Sequence, residues 1–312
     1  MDYNRLNVSV TDSDDVIAKI RSFLRANVPG PNWIEDGMFT LAGNPGEFFV
    51  RTAADTGYLI FDNTPDDGFI HVGHAGDNAA ASGYGDGTGP AAAKLNTSAF
   101  VGGTGKGVGL YVPANVAGAP ARDSKLHMFA DDTRCVIVLE VQPDNIWSML
   151  YAGFYEPGAA GADDASPLCI VSNSAPGSIS SAPTGVAARF PNGVVKVDPR
   201  GNRRVFVGSL TSPLGGVAVQ SVPGRESSLP MNDRADAAEV FTHPLHVVIN
   251  ELGCGEWFSL SGSTGTDGIL RASDGLKPGT TVELGAGFYF VAPLSMTPDG
   301  SSVLIGPIGD AI

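Results

Sequence analysis

The stretch "TRCVIVLEVQPDNIWSMLYAGFYEPG", Thr133 to Gly158, is the most hydrophobic and aromatic part of the chain. Its first half alternates. Cys135, Ile137, Leu139 and Val141 share one face of a strand, and Val136, Val138 and Glu140 share the other. Both faces are largely apolar, so the pattern predicts a central strand covered on both sides. The second half carries Trp147, Tyr151, Phe154 and Tyr155. Aromatics so placed suit three roles: stacking on a sugar ring, anchoring a protein interface where Trp and Tyr are enriched, or filling the core of a strand pair. The stretch is therefore either a pocket or a wall.

Outward from it, short apolar runs recur between turn residues. They are "MFTLAG", "EFFVRTA", "GYLIFDN", "GFIHVGH", "VGLYVP", "LCIVSN", "GVVKVD", "RVFVGSL", "LHVVINEL", "TVELG" and "GFYFVAPL". With 41 Gly and 22 Pro among 312 residues, long helices are disfavoured and turns abound. Strands dominate without a repeated helix–strand alternation. The expected class is mainly β, an antiparallel β-sandwich with a short N-terminal amphipathic helix, a long Gly/Ala-rich loop and a C-terminal β module.

The helix lies in "TDSDDVIAKIRSFLRANVPGP", where Val16, Ile17, Ile20, Phe23 and Leu24 form one stripe. Thr11 or Ser13 is the expected cap, with Asp14 and Asp15 at the positive end of the dipole. Arg21 and Arg25 sit towards the other end, before the stop signals Pro29 and Gly30. Burying five such side chains contributes about 8–15 kcal/mol, which ordering the backbone consumes. The helix thus needs a groove, in its own body or on a neighbouring subunit. Residues 75–106 and 211–235 are rich in small residues and read as long loops. The expected division is 1–30 as a helical segment, 31–235 as a sandwich-like domain with loop 75–106, and 236–312 as a C-terminal β module. No internal repeat of fixed period is visible.

The formal charge of −14 opposes contact with nucleic acid phosphates and with anionic lipid. It favours solubility or a basic partner. No run approaches the length that spans a bilayer, and "MDYNRLNVSVTDSDD" has no apolar signal region, so synthesis in a cytoplasm is expected. Cys135, Cys169 and Cys254 have neither disulfide-framework nor zinc-ligand spacing, and the first two read as core thiols.

Motifs that carry chemistry fare poorly. "GGTGKGVG", Gly102 to Gly109, lacks the P-loop's spacing and its magnesium-binding hydroxyl. His71/His74 and His243/His246 adjoin or lie in strands, where residues three apart point to opposite faces. The doublets Asp66-Asp67, Asp131-Asp132 and Asp163-Asp164 read as solvated turns, with a calcium loop as the alternative. Neighbouring carboxylates on a turn do not face each other across a substrate, as glycoside hydrolysis needs. There is no G-x-S-x-G elbow and no H-E-x-x-H helix. The expectation is a protein without enzyme activity, cofactor or bound metal.

"KLHMFADDTRCVIVLEVQPDNIWSMLYAGFYEPG", followed by "SPLCIVSNS", resembles a group of tailed-bacteriophage virion structural proteins. Phe129 to Asp132, Val136 to Val141, Tyr151 to Phe154 and Pro167 to Val171 carry the likeness. Near the C-terminus, Trp257 to Leu260 and Phe288 to Pro293 are similar to that group's closing module. The resemblance implies a virion subunit that oligomerises in the tail, neck or baseplate. Its partners would be other copies of itself and other virion proteins, with no direct nucleic acid and no membrane. A carbohydrate- or receptor-binding protein of the tail tip is the alternative. The interface candidates are Val16, Ile20, Phe23 and Leu24 on the helix, and Trp147, Tyr151, Phe154 and Tyr155 in the opening stretch.

Overall fold

The computed structural model describes residues 4–26, 29–35, 47–52, 58–63, 68–75, 109–112, 123–142, 145–154, 156–157, 168–173, 193–197, 203–207, 218–222, 242–244, 246–251, 254–259, 268–272, 275–285, 287–293, 296, 298 and 302–309. Over these the protein is mainly β, with antiparallel sheets and one helix, α1 (Ser13–Arg25).

The largest sheet has seven strands in the order β1 (Asn4–Val10), β6 (Asp123–Ala130), β7 (Arg134–Gln142), β8 (Ile146–Phe154), β10 (Leu168–Ser172), β11 (Gly193–Val197) and β12 (Arg203–Val207). A four-stranded meander follows chain order: β2 (Glu47–Arg51), β3 (Tyr58–Asp62), β4 (Phe69–Ala75) and β5 (Gly109–Tyr111). A second four-stranded sheet runs β13 (Ala218–Val222), β15 (His246–Glu251), β16 (Cys254–Ser259) and β9 (Glu156–Pro157). The five-stranded C-terminal sheet is ordered β14 (Thr242–Pro244), β17 (Gly268–Ala272), β20 (Ser302–Ile308), β19 (Gly287–Pro293) and β18 (Thr281–Leu284).

Helix α1 forms where its apolar spacing predicts, but neither Thr11 nor Ser13 caps it. Asp12 does: its backbone is extended, and its Oδ1 accepts the Asp15 N–H at 2.8 Å. The Asp15 carboxylate in turn accepts the Thr11 N–H at 3.0 Å, so two free donors at the helix start are satisfied reciprocally. After the last turn the chain folds back: the Trp33 N–H reaches the Leu24 carbonyl at 2.7 Å. Gly30 lies so close to the helix that a Cβ would stand 1.8 Å from the Phe23 carbonyl oxygen. The helix stripe docks in the chain's own body. Val16, Ile17, Ile20, Phe23 and Leu24 are all buried in one core with the inner faces of β6–β8 and of the meander.

The β7 alternation holds. Cys135, Ile137, Leu139 and Val141 line that core, while Val136 and Val138 are buried on the opposite face. On that second face Phe290 of β19 sits 5.1 Å from Phe129 and 4.6 Å from His127, ring centre to ring centre. The central strands are therefore covered twice: by helix and meander on one side, by the C-terminal sheet on the other. The meander is also stitched on by polar contacts. The Tyr111 N–H donates to Ser148 Oγ at 2.7 Å, and Ser172 Oγ donates to the Gly109 carbonyl at 2.5 Å.

Some sequence expectations are revised or fall elsewhere. Asn4–Val10, polar at alternate positions, is a strand and not part of a helical arm: it pairs along its whole length with β6, which supplies the hydrogen bonds its composition does not advertise. Within 211–235, Ala218–Val222 is a strand paired with β15, so backbone hydrogen bonds of one sheet cross residue 235. "MFTLAG", residues 38–43, lies outside the described residues, as does the loop 75–106 apart from Ala75 at the end of β4.

Candidate functional site

The richest side-chain chemistry among the described residues sits on the second face of β6–β8. In the β6–β7 register Lys125 lies opposite Glu140 and His127 opposite Val138, which puts Glu140 diagonal to His127. The His127 ring Nε2 lies 3.3 Å from Glu140 Oε2, and a carboxylate only accepts, so the ring N–H donates. The Gln142 amide donates to Glu140 Oε1 at 3.0 Å. The hydrogen bond from His127 is the chief cause holding the Glu140 carboxyl below its usual range, against the opposing effect of partial burial. Gln142 and the charge of Lys125 act in the same direction as His127.

Aromatic rings close around the pair. Trp147 stacks nearly parallel to His127 with centroids 6.4 Å apart, and Phe290 covers the ring from the C-terminal sheet. Trp147 is itself fixed at three points. Its indole N–H donates to Asn145 Oδ1 at 3.0 Å, its backbone N–H donates to the Met296 carbonyl at 2.7 Å, and Gly279 packs on its ring. A Cβ at Gly279 would stand 3.2 Å from Trp147 Cη2, and φ there is +78°. His127 Nδ1 is buried and has no hydrogen-bond partner.

A second polar cluster ties the β6–β7 turn. Asp131 and Arg134 form a buried ion pair at 2.9 Å. Asp131 Oδ1 also accepts the Thr133 N–H, the Thr133 hydroxyl and the Arg134 N–H at 2.8, 2.9 and 3.0 Å. Its backbone carbonyl takes the Trp33 indole N–H at 2.8 Å, linking the turn to the segment after the helix. The expectation of solvated carboxylates thus holds for Asp132, which is exposed, and fails for Asp131. A short hairpin turn leaves its backbone donors facing the Asp131 carboxylate, and the Arg134 charge offsets the cost of burial. Next to it, burial pushes the Cys135 thiol strongly up, with the charge of Asp131 adding to the effect, so it behaves as an inert core group.

The interface candidates fall into two sets. Val16, Ile20, Phe23, Leu24, Trp147 and Tyr151 are no more than 2 % exposed and are committed to the interior of this chain. Tyr155 and the side chain of Phe154 lie outside the described residues. His71 and His74 are both on β4. His243 and His246 belong to β14 and β15, in different sheets. Asp66, Asp67, Asp163 and Asp164 lie outside the described residues, as does the glycine run before Gly109. Among the described residues no group of three or more His, Cys, Asp or Glu could hold a metal ion, and no helix is long and apolar enough to cross a membrane.

Sequence reasoning passed over His127, Glu140 as its partner, and Asn173. Asn173 extends the β8 ladder beyond the end of β10: its side chain accepts the Met149 N–H at 2.7 Å and donates to the Trp147 carbonyl at 3.0 Å. One signal was available for the His–Glu pair: "KLHMFA" alternates, so His127 falls on the face opposite Leu126 and Met128.

No protein-family model matches the chain, and no curated protein matches it. What the arrangement can do is cohesive. Its charged groups are paired with one another and its aromatic rings with neighbouring elements, so each interaction holds one part of the chain to another.

Proposed function

We propose that this chain is a structural subunit of a tailed-phage virion, assembling as an oligomer in the tail, neck or baseplate and catalysing no reaction. The proposed architecture is an antiparallel sandwich with a C-terminal β module. Its proposed partners are further copies of itself and other virion proteins, with neither nucleic acid nor membrane. The observation that carries this reading is the burial of Trp147 and Tyr151 at 2 % and 0 % exposure. The aromatic stretch that resembles the phage group is wall, and its rings strengthen a body that has to stay folded under load. Burial of Trp147 also takes from the carbohydrate-binding alternative the ring on which a sugar would stack. Copies would meet through surface other than the buried helix stripe.

Mass spectrometry of purified particles is expected to find the chain in many copies. Light scattering of the purified protein is expected to give a defined oligomer. Particles that lack the chain would overturn the proposal.

A further inference from the structure

We propose that the Asp15–Lys19 pair of α1 is an autoinhibitory cap on β1: it occupies the backbone positions through which a second copy of the chain would add its own β1 to the seven-stranded sheet.

The register fixes which way each β1 residue bonds. The Asp131 N–H donates to the Arg134 carbonyl at 3.0 Å, and the β6–β7 register is continuous from there. Phe129, His127 and Lys125 therefore direct their backbone groups to β7. Met128, Leu126 and Ser124 direct theirs to β1, where Leu6, Val8 and Val10 stand opposite. The alternate residues Arg5, Asn7 and Ser9 turn N–H and C=O to the outer edge. Among the described residues no strand lies beyond β1 in its sheet.

An outer edge of this kind is a template for another strand. Helix α1 takes one end of it. Lys19 Nζ donates to the Ser9 carbonyl. The Thr11 N–H, next in the outward series, donates to Asp15 Oδ2 at 3.0 Å. The two side chains, one helical turn apart, are paired at 2.9 Å. A donor and an acceptor from the helix thus stand where a neighbouring strand would put its N–H and its C=O. Asn7 stays outside the cap, with its side chain exposed.

The strand that the cap excludes is β1 itself. An antiparallel two-fold pair centred on Asn7 aligns Arg5 with Ser9 of the second copy, and Leu6 with Val8 of the second copy. Within the strands it opposes no like charges. It also extends the half-buried Leu6 and Val8, which pack on the core of this chain. The ladder needs the Ser9 carbonyl of both copies, and Lys19 holds that carbonyl. Symmetry doubles the obstruction. At each end the Lys19 ammonium also meets Arg5 of the other copy, like charge on like. While the cap is closed, copies meet through other surfaces.

The test compares the wild-type full chain with Lys19→Met, which keeps the apolar stem and removes the donor. In sedimentation velocity over a concentration series, Lys19→Met is expected to double in mass relative to the wild-type particle. By NMR hydrogen exchange, its Asn7 amide is expected to slow about tenfold as the doubled species fills. In the wild type that amide is expected to exchange at one rate at every concentration. Adding Asn7→Pro removes an outward N–H and no bond to β6, so the double variant is expected to return to the wild-type mass. Four results overturn the proposal: Lys19→Met at wild-type mass, doubling without slowing at Asn7, doubling that survives Asn7→Pro, or concentration-dependent protection of Asn7 in the wild type. Should Lys19→Met fail to fold, Lys19→Gln, polar and shorter than lysine, is read by the same criteria. A wild-type oligomer built through another surface leaves exchange at Asn7 unchanged, so this outcome is separate from that of the virion proposal.

Discussion

On one face of β7, Cys135, Ile137, Leu139 and Val141 meet the helix stripe and the meander in an apolar core. On the other, the same sheet meets Phe290 and Gly279 across His127, Glu140 and Trp147. Both faces are buried, but they are held by different physics. The first is a close-packed aliphatic contact whose strength grows with area and is spread over many side chains. The second rests on a few directional contacts, each with its own geometric demand. The first should lose stability in proportion to volume removed, and the second should fail at single positions and respond to solvent conditions.

The severest disruption belongs to the turn that both faces share. Asp131→Ala leaves the buried Arg134 guanidinium without its carboxylate and frees three further donors. A loss of about 3–5 kcal/mol in unfolding free energy is expected by denaturant titration, with both faces disturbed together. Next comes Ile137→Ala on the aliphatic face, expected to cost about 2–5 kcal/mol as a transfer-plus-cavity effect. Its hydrogen-exchange signature should spread through α1 and the meander.

Gly279→Ala probes the opposite face. The added Cβ meets the Trp147 ring at 3.2 Å on a backbone with φ of +78°, so about 1–3 kcal/mol of strain is expected. Exchange should rise in the C-terminal sheet while α1 stays protected. Equal disturbance of α1 would erase the distinction between the faces.

The smallest effect concerns Glu140. Its folded-state carboxyl is held below the ordinary value of 4.5, so its contribution is complete above that pH and disappears as the pH falls through the lowered value. Melting curves from pH 6 to pH 3 are expected to fall more steeply for the wild type than for Glu140→Gln, with the gap between them closing at the acid end.

The two faces also differed in how far the sequence revealed them. The helix stripe and the alternation of Cys135 to Val141 are local periodic patterns, and both elements stand where those patterns lie. The burial of Asp131 was not readable, because it depends on a turn that gathers four donors around one carboxylate. The His127–Glu140 contact requires the β6–β7 register, and its cover, Phe290, is contributed from far along the chain. Ser302–Ile308 escaped notice although it is buried throughout. "SVLIGPI" is interrupted by Gly and Pro, which read as breakers, and only its two neighbours make it a central strand. The candidate interface residues were chosen as large and apolar, but hydrophobicity alone does not tell an inner surface from an outer one.

The position of β20 between β17 and β19 has a temporal side. The ribosome emits β17, β18 and β19 before the strand that must separate β17 from β19. Until residues 302–308 emerge, two sheet edges wait for the same missing partner. A nascent chain of this protein thus has to keep a gap open, and whatever shields those edges during synthesis influences how much of it reaches its finished form.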